Sequence, residues 1–285
     1  MRETPTNWQR PQLKSAAHKY AQLRDPESPL PPNFSVCLVA GPRASGKTHL
    51  VAAVIKSQER IGYVDPDGTA CEVRTIVLTP TWDQNPSLHV LRSVHAVHDS
   101  YSPEIFREIV DDMRAENARY EAYKKRLEDR KRAPQKRRRP LELQLFENWL
   151  EEHPEEEVLR PIVWNLIVDD MLGSRLFKSG TNPFTQFLTR NRHIRCNVWL
   201  LVQSLKGVPK TVRANANVLV FFRFGSQSLI SDMAEEVAGN LGQKAFESLY
   251  NAATSVPHGA LCCNFSAPPE RRFTRGFEAF LQPEA

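Results

Sequence analysis

The chain has 285 residues, of which 41% are hydrophobic and 25% charged, so it can bury one large core or two small ones. Its apolar stretches fall short of the ~20 residues that span a bilayer, and its polar start predicts neither export nor a membrane association. Five cysteines without C-x-x-C spacing indicate a reduced, intracellular protein without a cysteine metal site. The net charge of +5 is local, because residues 124–139 hold ten basic and two acidic residues and the remainder is near −3.

Hydrophobic periodicity predicts alternating strands and helices along most of the chain. Residues 1–34 are polar and rich in proline, which predicts an irregular N-terminal arm. Strands are expected at 35–40, 73–78, 162–168, 197–202 and 218–224, and helices at 47–60, 103–132, 141–156, 183–192 and 229–252. The segments GALCCNF and RRFTRGF predict a terminal hairpin. Repeated strand and helix units indicate an α/β fold with a mostly parallel central sheet flanked by helices.

The segment GPRASGKT matches the pattern G-x-x-x-x-G-K-[ST] and stands between a predicted strand and a predicted helix. In such a P-loop, backbone N–H groups and the helix N-terminus face the phosphates of a nucleotide such as ATP. Lys47 is expected at the β and γ phosphates, and Thr48 is expected to donate an oxygen to Mg²⁺. The predicted nucleotide-binding residues are Gly41, Pro42, Arg43, Ala44, Ser45, Gly46, Lys47 and Thr48.

The segment NLIVDDM ends a predicted buried strand with two adjacent carboxylates. Asp169 is predicted to hold Mg²⁺ through its water shell, as the second magnesium carboxylate of P-loop enzymes does. Asp170 is predicted to orient and polarise the attacking water, although an Asp at this position also suits the cap of a turn. Gln203 ends the next apolar strand, from which it would reach the γ-phosphate or bond to backbone.

Three arginines are candidates for an arginine finger, a cation that stabilises the charge developing on the transferred phosphoryl group. They are Arg190, Arg192 and Arg213. A finger supplied by a neighbouring subunit would make the protein a ring of identical chains. Arginine is abundant in this sequence, so each candidate alone carries little weight.

The order of these motifs resembles that of a known family. GPRASGKT, LTP after the second strand, LIVDD and RHIRCNVWLLVQSLKGVPKTVRANANVLVFF look like the genome-packaging ATPases of poxviruses and related large DNA viruses, virophages and polinton-like elements, within the FtsK/HerA superfamily. The resemblance covers residues 33–265. It implies a P-loop NTPase of the additional-strand, RecA-like type, with strand order 5-1-4-3-2 and the Gln203 strand between the P-loop strand and the Asp169 strand.

Site roles carried over by the resemblance agree with those predicted from the residues. Lys47 and Thr48 would bind nucleotide and Mg²⁺, Asp169 and Asp170 would form the Walker B pair, and Gln203 would be the sensor. Arg192 or Arg213 would be the finger supplied in trans, and Arg213 is favoured because VPKTVRAN begins after the sensor strand, close to where a subunit interface would lie in the family. The corresponding domain division is an arm at 1–34, an ATPase domain at 35–265 and a C-terminal strand and tail at 266–285. Within the ATPase domain, 102–158 is read as a helical basic insertion whose role the resemblance does not supply.

The basic segment KKRLEDRKRAPQKRRR has three interpretations, which are not exclusive. It is a solvated charged helix, a nuclear address of two basic clusters, or a loop that contacts DNA phosphates without reading bases. The absence of interleaved aromatic residues argues against stacking on single strands.

The leading hypothesis is an ATP-driven double-stranded DNA translocase that packages a viral genome, with Mg²⁺ as cofactor and a capsid or portal protein as partner. The protein would be located in the host nucleus, in a cytoplasmic virus factory or in the virion. The alternatives are a cellular or plasmid FtsK/HerA-type DNA pump and a nucleotide-binding capsid scaffold. A small-substrate kinase is disfavoured because Asp170 and Gln203 suit water as the acceptor, and a GTPase because the N-K-x-D motif is missing.

Overall fold

A computed structural model of the chain describes residues 20–25, 27–132, 158–177, 182–237 and 241–282. Its strands are β1 (Gln22–Leu23), β2 (Val36–Ala40), β3 (Tyr63–Val64), β4 (Glu72–Leu78), β5 (Val94–His98), β6 (Ile162–Asp169), β7 (Cys196–Val202), β8 (Val218–Phe222), β9 (Ala260–Asn264), β10 (Phe273–Arg275) and β11 (Ala279–Leu281). Its α-helices are α1 (Lys47–Ile61), α2 (Pro103–Arg132), α3 (Pro183–Leu188), α4 (Lys210–Arg213), α5 (Gln227–Val237) and α6 (Gln243–Ala253). Within these ranges, each helix is too short or too polar to cross a bilayer.

The main sheet has the strand order β11-β10-β9-β8-β2-β7-β6-β4-β5. The six strands from β8 to β5 in that order pair in parallel, and β9, β10 and β11 continue the sheet in antiparallel pairs. The predicted α/β class is confirmed, as is the 5-1-4-3-2 order of the central strands. Strand β7 therefore lies between β2, which leads into the P-loop, and β6, which ends in Asp169.

Continuous apolar runs make the central strands suitable for a sheet that is covered on both faces. Every residue of β2, β6, β7 and β8 is buried. Successive side chains point to opposite faces, so Leu38 packs in the core under α2, α3 and α6, whereas Val39 packs in the core under α1. The described cysteines are free thiols, and four of the five are buried as small apolar groups.

The long helix α2 has the predicted bounds, and its first turns belong to the core of the domain. Phe106, Ile109 and Met113 are almost fully buried against β6 and α3. Farther along the helix, Lys124 forms an ion pair of 2.7 Å with Asp67. The predicted insertion is therefore packed against the fold at least as far as residue 124, while the predicted helix at 141–156 and the basic residues 136–139 lie outside the described residues.

Two predicted helices are shorter than periodicity suggested. The helix predicted at 183–192 ends at Leu188, because the buried Asn191 side chain donates hydrogen bonds of 2.8 Å to the carbonyls of Phe34 and Cys196 and holds a separate 3₁₀ turn. The helix predicted at 229–252 is two helices, α5 and α6. Gly242 precedes α6 with φ 79°, a backbone conformation that interrupts a helix and that glycine adopts readily.

The strand predictions have smaller errors. The strand expected at 218–224 ends at Phe222, because the N–H of Phe224 donates to the Tyr250 hydroxyl (2.7 Å) instead of continuing the ladder. The terminal hairpin is confirmed by the antiparallel pairing of β9 with β10. Strands β5 and β11, which extend the two ends of the sheet, were not predicted.

A buried amide connects the start of the P-loop strand to the neighbouring strands. The side-chain carbonyl of Asn197 accepts from the N–H of Phe34 (2.6 Å), and its amide donates to Asn165 (3.2 Å). Replacing Asn197 with Ala leaves the buried Phe34 N–H without its acceptor, so the free energy of unfolding should fall by about 2 kcal/mol. Urea denaturation measures this loss.

The matched control is Asn251→Ala on the exposed face of α6, which should change the free energy of unfolding by less than about 0.5 kcal/mol. Equal stability of the Asn197 and Asn251 variants would show that the buried amide does not stabilise this part of the sheet.

Candidate functional site

The carboxyl ends of β2, β7 and β6 meet at one edge of the sheet, which is where ligands bind in open α/β folds. A cleft of about 380 Å³ opens there. Its lining combines the P-loop with residues that follow β4, β6 and β7: Arg43, Ala44, Lys47, Thr48, Thr81, Gln84, Asn85, Asp169, Asp170, Leu172, Leu201 and Gln203. The structure thus brings together the predicted phosphate-binding, magnesium-binding and water-orienting residues.

The P-loop backbone has the turn that phosphate binding requires. Ala44 (φ 58°) and Gly46 (φ 104°) adopt left-handed conformations, which turn backbone N–H groups toward the concave side of the loop as in an anion-binding nest. At Gly41 a side chain has no room, because a Cβ would lie 2.6 Å from the Ser45 hydroxyl and 2.8 Å from Phe222 Cβ. The first turn of α1 contains no acidic residue, so the positive end of its dipole is not offset by a carboxylate there.

Lys47 is buried at the base of the loop. Its ammonium donates to the carbonyls of Gly41 and Pro42, both at 2.9 Å. Burial lowers the pKa of Lys47, and the negative charges of Asp169 and Asp170 oppose this shift. The side-chain nitrogen therefore lies inside the loop, within the electrostatic range of both carboxylates.

Asp169 connects three segments of the cleft. Its Oδ2 accepts from the Thr48 hydroxyl (2.9 Å) and from the Asn85 amide (3.3 Å). Burial raises the pKa of this carboxyl group, whereas the Thr48 hydrogen bond and the Lys47 charge act in the opposite direction. A divalent cation beside Thr48 and Asp169 would also favour the ionised form. Hydroxyl and carboxylate oxygens are hard ligands, so this donor set suits Mg²⁺.

Asp170 and Gln203 contact each other across the cleft. The Gln203 amide donates to Asp170 Oδ1 at 3.0 Å. This bond leaves Asp170 Oδ2 and the Gln203 side-chain carbonyl as acceptors, which a single water can satisfy with its two O–H groups. Gln203 therefore bonds to the Asp170 side chain, whereas the alternative interpretation placed it against backbone.

The finger candidates lie outside this cleft. Arg192 is exposed in the turn that precedes β7, so it is at the opposite end of that strand from Gln203, roughly 20 Å away along a seven-residue strand. Arg190 lines a separate groove between α2 and α3. Arg213 ends α4, where its largely buried guanidinium pairs with Glu236 at 3.3 Å. Within one subunit, none of these side chains lines the cleft.

The site includes residues that sequence reasoning missed. Asn85, Thr81 and Gln84 come from the segment that follows β4. A usable signal was present, because the segment TPTWDQNP follows a predicted parallel strand and must emerge at the same edge of the sheet as Asp169. His258 was also missed. Its ring Nδ1 lies 3.0 Å from the Ser45 carbonyl, although 213 residues separate the two in sequence.

No known sequence family and no curated protein matches the chain. Among solved structures, the chain is similar to the genome packaging NTPase B204 from Sulfolobus turreted icosahedral virus 2 in complex with ATP-gammaS. The match covers 88% of this chain and 98% of B204, with 12% sequence identity and a TM-score of 0.46. The chain is also similar to EssC (ATPases 2 and 3) from Geobacillus thermodenitrificans. That match covers 88% of this chain and 40% of the EssC chain, with 11% sequence identity and a TM-score of 0.48. Likenesses of this size concern the general fold and carry no conclusion about activity.

The backbone of Asp170 gives a prediction that does not depend on any ligand. Its φ of 54° lies in the left-handed region, which Asp and Asn tolerate better than Ala. Asp170→Asn should therefore unfold close to the wild-type denaturant concentration, whereas Asp170→Ala should be less stable than Asp170→Asn by about 1 kcal/mol. Indistinguishable urea midpoints for the two variants would contradict the left-handed conformation.

Proposed function

We propose that this protein hydrolyses ATP to move double-stranded DNA, and that it packages a viral genome into a capsid as a homo-oligomeric ring. The observation that carries the hydrolytic part is the meeting of the P-loop, Asp169 and the Asp170–Gln203 pair in one cleft. A phosphate cradle, a carboxylate for the metal and two acceptors for a water are the components that phosphoanhydride hydrolysis requires.

The residues divide the reaction into separate tasks. The loop N–H groups and the Lys47 ammonium hold the β and γ phosphates. To do so, Lys47 gives up its hydrogen bonds to the Gly41 and Pro42 carbonyls and donates to phosphate oxygens instead. The buried Ser45 hydroxyl has no hydrogen-bond partner among the described residues, and a bound phosphate would provide one. Asp170 and Gln203 orient the attacking water, and Asp170 takes up its proton.

Mg²⁺ would be held by the Thr48 hydroxyl, with Asp169 beside it through the water shell. When bound, the ion neutralises charge on the β and γ oxygens. Asn85 contributes indirectly, because its amide fixes the orientation of the Asp169 carboxylate.

The DNA part of the proposal is supported by the family resemblance of the motifs and by the basic segment. The ten basic residues within 124–139 give this segment the positive charge that sequence-independent phosphate contacts of a translocating motor need, although Lys124 is already paired with Asp67. A nuclear address in the same segment would place the protein in the host nucleus, whereas a cytoplasmic virus factory would not require one. A capsid or portal protein is the partner that packaging demands.

ATP hydrolysis with and without duplex DNA tests this proposal. Wild-type protein should hydrolyse ATP faster with duplex DNA. Lys47→Ala should weaken ATP binding by about tenfold or more, because the phosphate cation is lost, whereas Asp170→Asn should bind ATP normally and lose about 100-fold in turnover. Phosphate release and the binding of a fluorescent ATP analogue are the two measurements.

Lys56→Ala is the matched control, since Lys56 is an exposed lysine on the same helix. A wild-type rate for Asp170→Asn would contradict the water-orienting role. Binding of ATP without hydrolysis by the wild type would favour the nucleotide-binding scaffold instead.

Assembly into a ring is tested by mixing variants. Exposure favours Arg192 over Arg213 as the finger, because Arg213 is already paired with Glu236. Arg192→Ala should bind ATP and lose about 1,000-fold in turnover. Mixed with Asp170→Asn, it should recover part of the activity, because some interfaces then join an intact cleft to an intact finger.

The control mixture of Lys47→Ala with Asp170→Asn should remain inactive, since neither chain supplies a working cleft. The same mixing experiment with Arg213→Ala tests the other candidate. Lack of rescue for both arginine variants, together with full activity of the wild type as a dilute monomer, would contradict the ring.

A further inference from the structure

The cleft contains an arginine that is not one of the three finger candidates. Arg43, in the third position of the P-loop, lines the cleft together with Asp170 and Gln203. Of the charged residues in the lining, Arg43 and Lys47 are cations, and Asp169 and Asp170 are carboxylates. A γ-phosphate bound in this cleft therefore has a second cation within the same lining.

Arg43 occupies the tip of the P-loop. The Pro42 carbonyl accepts from the N–H of Ser45 (3.4 Å) across a turn whose third residue, Ala44, has a φ of 58°. Arg43 is the second residue of this turn, and its side chain is exposed. Lys47, in contrast, is buried inside the loop, where it donates to two carbonyls. The two cations of the cleft therefore belong to different parts of the loop, one inside it and one at its rim.

The guanidinium of Arg43 is free to bind a ligand. Among the residues that the structure describes, it has no hydrogen-bond or ion-pair partner. Arg213 would have to leave Glu236, and Arg192 would have to come from a neighbouring subunit, before either could act in the cleft. Arg43 needs neither change. Its planar fork of N–H donors also matches two oxygens of a phosphoryl group better than a single ammonium does.

We propose that Arg43 is a catalytic residue for ATP hydrolysis, which each subunit supplies to its own cleft. This inference rests on the proposed function and differs from the family resemblance, which implies an arginine supplied in trans. As the water oxygen bonds to the γ-phosphorus, the bond to the β–γ bridging oxygen breaks, Asp170 takes the water proton, and negative charge grows on the bridging oxygen. Arg43 donates to that oxygen and to an oxygen of the γ-phosphoryl group, so it stabilises the transition state more than it stabilises bound ATP.

Turnover and nucleotide binding, measured separately, test this role. Arg43→Ala should lower kcat by about 100-fold and raise the Kd for a non-hydrolysable ATP analogue by less than about threefold, because the arginine acts mainly on charge that develops during the reaction. Arg43→Lys keeps the charge without the fork, so its kcat should lie between those of Arg43→Ala and the wild type. The matched control Arg60→Ala removes an exposed arginine of α1 outside the cleft and should change neither value.

Two further measurements separate a catalytic arginine in cis from other roles. ADP with aluminium fluoride mimics the γ-phosphoryl group in the transition state, and Arg43→Ala should bind this complex about tenfold or more weakly than the wild type does. A mixture of Arg43→Ala with Asp170→Asn should stay inactive, because each chain lacks one group of its own cleft. An arginine that served the neighbouring cleft would instead restore part of the activity.

The inference is overturned if Arg43→Ala hydrolyses ATP at the wild-type rate, if it weakens binding of the ATP analogue as strongly as it lowers turnover, or if mixing with Asp170→Asn restores activity. In each of these cases, loss of turnover in Asp170→Asn would leave the proposed hydrolytic site intact. Wild-type protein that binds ATP without hydrolysing it would overturn both the role of Arg43 and the proposed function.

Discussion

The hydrogen bond from Thr48 to Asp169 is the contact on which the arrangement of the site depends. It joins the first turn of α1 to the end of β6 across 121 residues of sequence. The contact requires β7 to lie between β2 and β6, with all three strands parallel, so that their carboxyl ends share one edge. The same order brings Gln203 to Asp170. Phosphate cradle, metal carboxylate and water-orienting pair are therefore consequences of one sheet topology, and buried groups such as Asn197 stabilise its far end.

Much of this architecture could be predicted because the local patterns are strong. Fully buried strands appear as uninterrupted apolar runs, and α2 begins at a proline, a residue that favours the first helical position. The P-loop and the two carboxylates were recognisable because each follows such a run. The strand order did not come from periodicity. It was an implication of the family resemblance, since hydrophobic patterns identify strands without saying which strands are neighbours.

The errors arose where tertiary contacts override local preference. Asn191 ends a helix by bonding to two distant carbonyls, and Asn85 reaches Asp169 from a segment without a strong motif. The burial of the candidate finger arginines also could not be predicted from the sequence. The sequence does not show which of Arg192 and Arg213 is buried, yet Arg213 is largely buried and pairs with Glu236. Arg192 is exposed. Only the fold distinguishes a structural cation from one that can serve a neighbour.

The most direct test of the central claim is the position of the metal in a crystal of the protein with a non-hydrolysable ATP analogue and Mn²⁺, which gives an anomalous signal in place of Mg²⁺. The account predicts one peak within direct bonding distance of Thr48 Oγ1, about 2.1 Å, and on the Asp169 side of a triphosphate that lies in the loop 41–48. A peak away from both residues, or a triphosphate bound outside that loop, would contradict it.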